Sequence, residues 1–129
     1  MPKAVEAAHA YFELAMQGSP ELPALMAEDV TWTVPEHSPL GGTHRGRDAV
    51  LAMLERAFAL YDVPTMKLEL PLVFGDDAHA CVRFTLEAKT VKGLDWEGDY
   101  VAVFGVRDGK IASVREYFDT QKLSAIVHA

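Results

Sequence analysis

The sequence predicts an α+β fold: a cone-shaped α+β barrel whose N-terminal helices pack in a curved, mixed or antiparallel sheet and enclose a pocket. Two observations predict it. Apolar residues recur at helical spacing in most of the chain before Tyr61, and from Met66 onward they alternate with polar residues between turn signals. Helices first and hairpin strands last is the element order of an α+β domain. A chain of 129 residues fits one domain, residues 1–129, with a single modest core.

Val5, Ala8, Phe12, Ala15 and Met16 give an amphipathic helix over residues 3–17, with Tyr11 at the border of the stripe. Gly18 stops it, because glycine takes the left-handed conformation that follows a helix. Ser19-Pro20-Glu21 places a capping serine, a proline and an acid where a helix begins. A second helix is therefore expected from there, or from Leu22 with Pro23 in its first turn, ending near Glu28. Asp29–Val34 alternates, with Val30, Trp32 and Val34 on one side, and reads as a strand ended by Pro35. Residues 35–46, rich in proline and glycine, read as a long loop. Gly46-Arg47-Asp48 opens a third helix whose face of Val50, Leu51, Leu54, Ala57, Phe58 and Tyr61 runs to about residue 61.

The remainder reads as β. Met66–Phe74 is a strand that Pro71 marks as an edge or a bulge. After a turn at Gly75-Asp76-Asp77, Ala78–Thr90 puts Ala80, Val82, Phe84, Leu86 and Ala88 on one face, and His79, Cys81, Arg83, Thr85, Glu87 and Lys89 on the other. Lys92-Gly93 turns again. Trp96–Val106 is apolar on both faces, so both are expected to be covered, the outer one by a second copy in a homodimer. Asp108-Gly109 leads into the last strand, where Ala112, Val114, Glu116 and Phe118 share a face opposite Ser113, Arg115, Tyr117 and Asp119.

A net charge of -7 and a pI near 5.1 exclude the basic footprint that nucleic acid or an anionic membrane surface needs. A single cysteine, Cys81, excludes an intrachain disulfide and a cysteine metal cluster, and a reducing, cytoplasmic location is the simplest expectation. The first residues lack the apolar stretch of a signal peptide. The longest apolar run, Tyr100–Val106, is too short to span a bilayer.

Glu116 is the one acid on an otherwise apolar strand face. It is either a carboxylate inside an apolar cavity, where desolvation raises its pKa toward that of a general acid or base, or a solvated or arginine-paired group at the cavity mouth. Tyr11 either donates a hydrogen bond to a ligand oxygen or packs its ring with the hydroxyl in water. His37 and His44 lie in the loop after the first strand, near the expected mouth, as ligand contacts or as solvated side chains. Glu36, His37 and His44 have ligand chemistry for a metal but no recognised spacing, so no metal site is assigned. Arg115 and Asp119 read as a structural pair or a subunit contact. Nucleophile-elbow, phosphate-loop and zinc-spacing motifs are absent from the sequence.

Four stretches together resemble the nuclear transport factor 2-like superfamily, in its SnoaL-like and ketosteroid-isomerase-like branch. They are Ala15-Met16-Gln17-Gly18, Leu25 through Trp32, Gly42 through Val50, and Asp108-Gly109-Lys110-Ile111 with Arg115-Glu116-Tyr117-Phe118-Asp119. Against the ketosteroid isomerases, Tyr11 matches the oxyanion-hole tyrosine, but the base position falls on Val34 and the second acid on Ala102, which disfavours steroid isomerisation. Against SnoaL-like cyclases and epoxide hydrolases, the acid of the last strand falls on Glu116, the cyclase histidine falls on Val114, and Arg83-Phe84-Thr85 keeps an arginine without its acid. The resemblance implies Glu116 and Tyr11 as catalytic groups, with Trp32, Val34, His37, Phe84, Tyr100, Val114 and Phe118 around a small apolar organic ligand. Proton-transfer chemistry without a cofactor is the implied activity, in an isomerase, cyclase or hydrolase. A non-catalytic ligand-binding or dimerisation module of the same fold is the alternative.

Overall fold

The computed structural model describes residues 1–128. Helix α1 spans Lys3–Gln17. Gly18 ends it at φ +61°, its N–H reaching the Ala15 carbonyl, a conformation that costs glycine nothing. The expected second helix is a single 3-10 turn, Leu22–Leu25, and strand β1 starts at once, Met26–Val34. Met26 is fully buried and pairs with Ile111, so the sheet claims residues that capping signals alone assign to a helix.

The expected loop holds a further strand. β2, Gly42–Arg45, pairs antiparallel with β1 from Thr31↔Arg45 to Val34↔Gly42. Gly41 is required in the reversal between them, where a Cβ would lie 2.2 Å from the Glu36 carbonyl oxygen. Helix α2 covers Arg47–Phe58, and Tyr61 lies past its end, bridged to Thr90. Strands β3 (Lys67–Gly75), β4 (His79–Lys89), β5 (Asp95–Arg107) and β6 (Lys110–Phe118) follow. Helix α3, Thr120–Val127, was not expected; the Asp119 side chain caps it, accepting from the Lys122 N–H at 2.9 Å.

The six strands form one mixed sheet in the order β2-β1-β6-β5-β4-β3. β1 and β6 run parallel, and every other pair is antiparallel. The sheet is not closed: β2 and β3 are its edges. Edge strand β3 carries Pro71 inside a register break between Glu69 and Leu72, where a missing N–H does least harm. α1 packs across β3, β4, β5 and β6, and α2 across β1 and β2, so both helices lie on the inner face. The core there joins Ala4, Ala8 and Phe12 of α1 to Trp32, Val82, Phe104 and Val114. Among the described residues only the inner face of β5 is covered. Val101 and Val103 on the outer face remain 38% and 37% exposed, beside Tyr117 at 52%. No helix among the described residues is long and apolar enough to cross a membrane.

Candidate functional site

Alternation along β6 turns Glu116 inward, directly opposite Ala102 of β5. There Glu116 lines a cavity of about 120 Å³. α1 supplies Tyr11, Phe12 and Ala15 to its wall, and α2 supplies Met53, Leu54 and Ala57. The sheet adds Val34, Phe84, Tyr100 and Phe118, and α3 adds Leu123. Among the described lining residues Glu116 is the one carboxylate.

Trp32 holds that carboxylate. β1 sets Trp32 beside Val114 on β6, and the indole Nε1–H donates to Glu116 Oε2 at 3.2 Å. Burial raises the Glu116 pKa to about 7 from an ordinary 4.5, because the charged form loses its water; the Trp32 hydrogen bond pulls the other way by favouring the carboxylate. The surface that Glu116 keeps faces the cavity.

Three phenols share the cavity with this acid. Tyr11 is 6% exposed, its ring against Phe12, Trp32 and Phe104 at centroid distances of 5.0, 5.1 and 5.8 Å. Burial, then the negative charge of Glu116, pushes its hydroxyl pKa up. Tyr100 stacks on Phe84 at 4.6 Å with rings parallel to within 1°, and its hydroxyl accepts from Trp96 Nε1 at 3.0 Å. Burial raises its pKa as well, followed by the neighbouring Tyr61. Burial raises Tyr61 as well, with its neighbour Tyr100 pulling the other way.

Of the residues expected around a ligand, the structure brings Tyr11, Val34, Phe84, Tyr100, Glu116 and Phe118 together on the cavity wall. Trp32 and Val114, each 1% exposed, lie behind that wall, Trp32 acting on the cavity through its bond to Glu116. His37 is exposed and stands apart from the cavity. His44 Nε2 pairs with the Leu40 carbonyl at 2.9 Å. Among the described residues no three His, Cys, Asp or Glu side chains converge as a cation site needs, so Glu36, His37 and His44 are not gathered. Arg83 lies on the outer face in an ion pair with Asp99 at 2.9 Å. Asp119 caps α3 rather than pairing with Arg115. Tyr61 and Leu123 are lining residues that sequence reasoning did not assign to the site. Tyr61 carried a signal, a hydroxyl at the end of an apolar helical face; Leu123 carried none without α3.

A carboxyl group poised near neutral pH beside phenolic donors, in a wall otherwise apolar, is equipped to accept a proton from a bound molecule and return it.

The family described as the SnoaL-like domain matches residues 6–114, a segment that stops two residues before Glu116. No curated protein matches the chain. Among solved structures, a nuclear transport factor 2-like protein from Burkholderia xenovorans is 28% identical, covering 97% of this chain and 95% of its own, with a TM-score of 0.80. TerC, co-crystallized with polyporic acid, is 24% identical over 98% of this chain and 99% of its own, with a TM-score of 0.83. A Mycobacterium tuberculosis protein in complex with estradiol-17beta-hemisuccinate is 20% identical over 95% of this chain and 98% of its own, with a TM-score of 0.82.

Proposed function

The chain belongs to the SnoaL-like domain family, and on that premise we propose that its cavity takes a small, mostly apolar organic molecule on which Glu116 moves a proton. The observation that carries the reading is the single carboxylate in an apolar wall, held by the Trp32 indole and poised near pH 7. Tyr11 orients the polar end of the ligand. The carboxyl is itself the proton carrier, so the chemistry asks for no cofactor. Isomerisation, cyclisation and hydration or hydrolysis all use such a step.

Ligand class follows from the wall and the volume. A cavity of about 120 Å³ is of the size that accepts one aromatic ring, judged against an apolar cavity of ~150 Å³ that binds benzene. That two proteins of this fold bind polyporic acid and estradiol-17beta-hemisuccinate supports an oxygenated, ring-containing ligand. The test is the titration of Glu116 by carbon-13 NMR on glutamate-labelled protein. A midpoint near 7, moved upward by an apolar ring compound that displaces cavity water, is the expected result. A midpoint near that of a free glutamate would sink the proposal.

The exposed outer sheet face supports a second element of the reading, a homodimer. In strand register Phe74 faces Cys81, and Cys81 faces Val103; in the next row Leu72 faces Arg83, Arg83 faces Val101, and Val101 faces Tyr117. The apolar members of those rows form a patch on a protein otherwise rich in surface charge. A cytoplasmic setting suits the free thiol of Cys81. The same patch and cavity also suit a non-catalytic ligand-binding module, which the NMR titration separates from an enzyme.

A further inference from the structure

A chain of aromatic rings borders the cavity and returns to its one acid at both ends. Trp32 meets Tyr11 at a centroid distance of 5.1 Å, Tyr11 meets Phe12 at 5.0 Å, and Phe12 meets Phe84 at 4.8 Å. Phe84 stacks on Tyr100 at 4.6 Å, and Tyr100 meets Phe118 at 5.2 Å. Trp32 donates to Glu116 Oε2 at 3.2 Å, and Phe118 stands two residues beyond Glu116 on the same face of β6. Oε1 has no protein partner among the described residues, and Glu116 lines the cavity. No lysine, arginine or histidine occurs among the described lining residues. The titratable groups that face Glu116 are phenols: Tyr11 of α1, Tyr61 past α2 and Tyr100 of β5. Burial raises all three, so they stay uncharged near pH 7. α2 and α3 present only apolar side chains to the cavity.

We propose that this arrangement is an amine site: a ligand carries a protonated nitrogen that pairs with Glu116 Oε1 while its apolar part lies against the aromatic rings. The inference rests on the reading of the cavity as a ligand site and goes beyond it in naming the charged group that the site admits. Each part of the wall suits a cation. An aromatic ring presents a negative face, and it attracts an ammonium most strongly where water is excluded. A carboxylate buried with a single hydrogen-bond donor lacks the counter-charge that buried charges require. An ammonium supplies the charge and further donors with it. Trp32 occupies the other oxygen, so the incoming nitrogen meets one oxygen in one orientation. An anionic ligand meets a like charge and the negative ring faces. An uncharged ligand leaves the carboxylate without a counter-charge unless Glu116 takes up a proton. Desolvation of two charges cancels much of the gain from pairing them, so the signature lies in selectivity and proton release rather than in tight binding.

The experiment compares benzylamine with ethylbenzene, which has the same outline and a methyl in place of the ammonium, and with benzyl alcohol, its uncharged polar counterpart. Calorimetry in two buffers of different ionisation enthalpy gives affinity and proton release in wild type and Glu116→Gln. Carbon-13 NMR gives the Glu116 midpoint with and without each compound. Benzylamine is a cation in neutral water, whereas Glu116 in the free protein is protonated below about 7. Benzylamine binding at pH 6 therefore expels about one proton, and its apparent affinity falls about tenfold for each pH unit below the midpoint. The Glu116 midpoint moves down with benzylamine and up with ethylbenzene. In Glu116→Gln the affinity ratio of benzylamine to ethylbenzene falls by about tenfold to a hundredfold, the size of one charge-assisted hydrogen bond. Affinity for ethylbenzene stays the same, which shows the cavity intact.

A ratio that Glu116→Gln leaves unmoved overturns the amine site, and so does a Glu116 midpoint that benzylamine fails to lower. Benzyl alcohol that matches benzylamine in affinity and in its response to Glu116→Gln overturns it too, since the acid then serves any polar group. If Glu116 titrates near 7 in the free protein, the proposed function survives those results. If it titrates there as a free glutamate, yet benzylamine lowers it and the ratio responds to Glu116→Gln, the proton-transfer reading fails and the amine site stands. If none of the three compounds binds, both fall together.

Discussion

Glu116 is held where its charged form is disfavoured, and the cost is a matter of stability as well as chemistry. In the unfolded chain it ionises near 4.5, while in the fold it stays protonated up to about 7. Between those values the folded state binds more protons, so stability is full below pH 4.5 and is lost as pH rises to 7. The loss is on the order of 3 kcal/mol if the carboxylate has no other relief. Glu116→Gln keeps an acceptor for Trp32 and removes the ionisation. Its melting temperature is expected to match wild type at pH 4 and to exceed it by several degrees at pH 8, while any proton-transfer activity is lost. Thermal melts across that range check this, and a difference that stays flat with pH would count against a buried carboxylate. The inward position of Glu116 was legible in the sequence because alternation holds from Val114 to Phe118; it breaks at Ala112, where the register slips and Ile111 is buried in place of the expected Ala112. The partner that holds it was not: Trp32 and Glu116 are 84 positions apart, and no local pattern says which indole meets which acid.

At the scale of elements, the least anticipated segment closes the cavity. α3 begins at the Asp119 cap and places Leu123, 5% exposed, into the wall. Lys122 ties the same helix to β5, donating to the Glu97 carbonyl oxygen and lying 5.5 Å over the Trp96 ring. Leu123→Ala is expected to cost about 2–3 kcal/mol and to enlarge the cavity. Affinity should then shift toward ring compounds bulkier than those wild type accepts, which calorimetry on a size series reads directly. Loss of stability with no change in size preference would place Leu123 in the core alone. Each missed element has a physical reason. α3 is eight residues with its signal in one capping aspartate. β2 is four residues between glycines, too short for periodicity to register. The expected helix after Gly18 failed because Met26 is worth more paired in the sheet than capped in a turn. The strands from β3 to β6 were legible because their alternation is long and their turns carry glycine; Asp108-Gly109, with φ of +53° and +75°, is the hairpin pair the local sequence demands.

For the whole molecule, the outer sheet face sets the expected assembly. Val101, Val103 and Tyr117 lie on central strands, exposed and contiguous. Val103→Lys, beside Arg115 in the strand register, puts two like charges at the middle of the patch. Light scattering on size-exclusion chromatography is expected to give twice the chain mass for wild type and the chain mass for the variant. A wild type that elutes as a monomer at high micromolar concentration ends the dimer reading. The fold class was legible because the two long helices precede residue 60 and the long alternating strands follow as successive hairpins. Order within the sheet was not, because β1 joins β6 in parallel across most of the chain, and alternation says which face a residue takes but never which strand lies next to it.

That parallel seam has a consequence for how the site comes into being. β6 pairs with β5 through a local hairpin, so the sheet is completed when β1, from the far end of the sequence, docks along the other edge of β6. Loop closure over such a span is slow, and before it happens Glu116 is an ordinary wet carboxylate and Trp32 has no oxygen to meet. The proton poise of this group is therefore acquired in the same cooperative event that completes the sheet. A kinetic intermediate with the β5–β6 hairpin formed and β1 undocked would be compact and partly ordered, yet chemically blank.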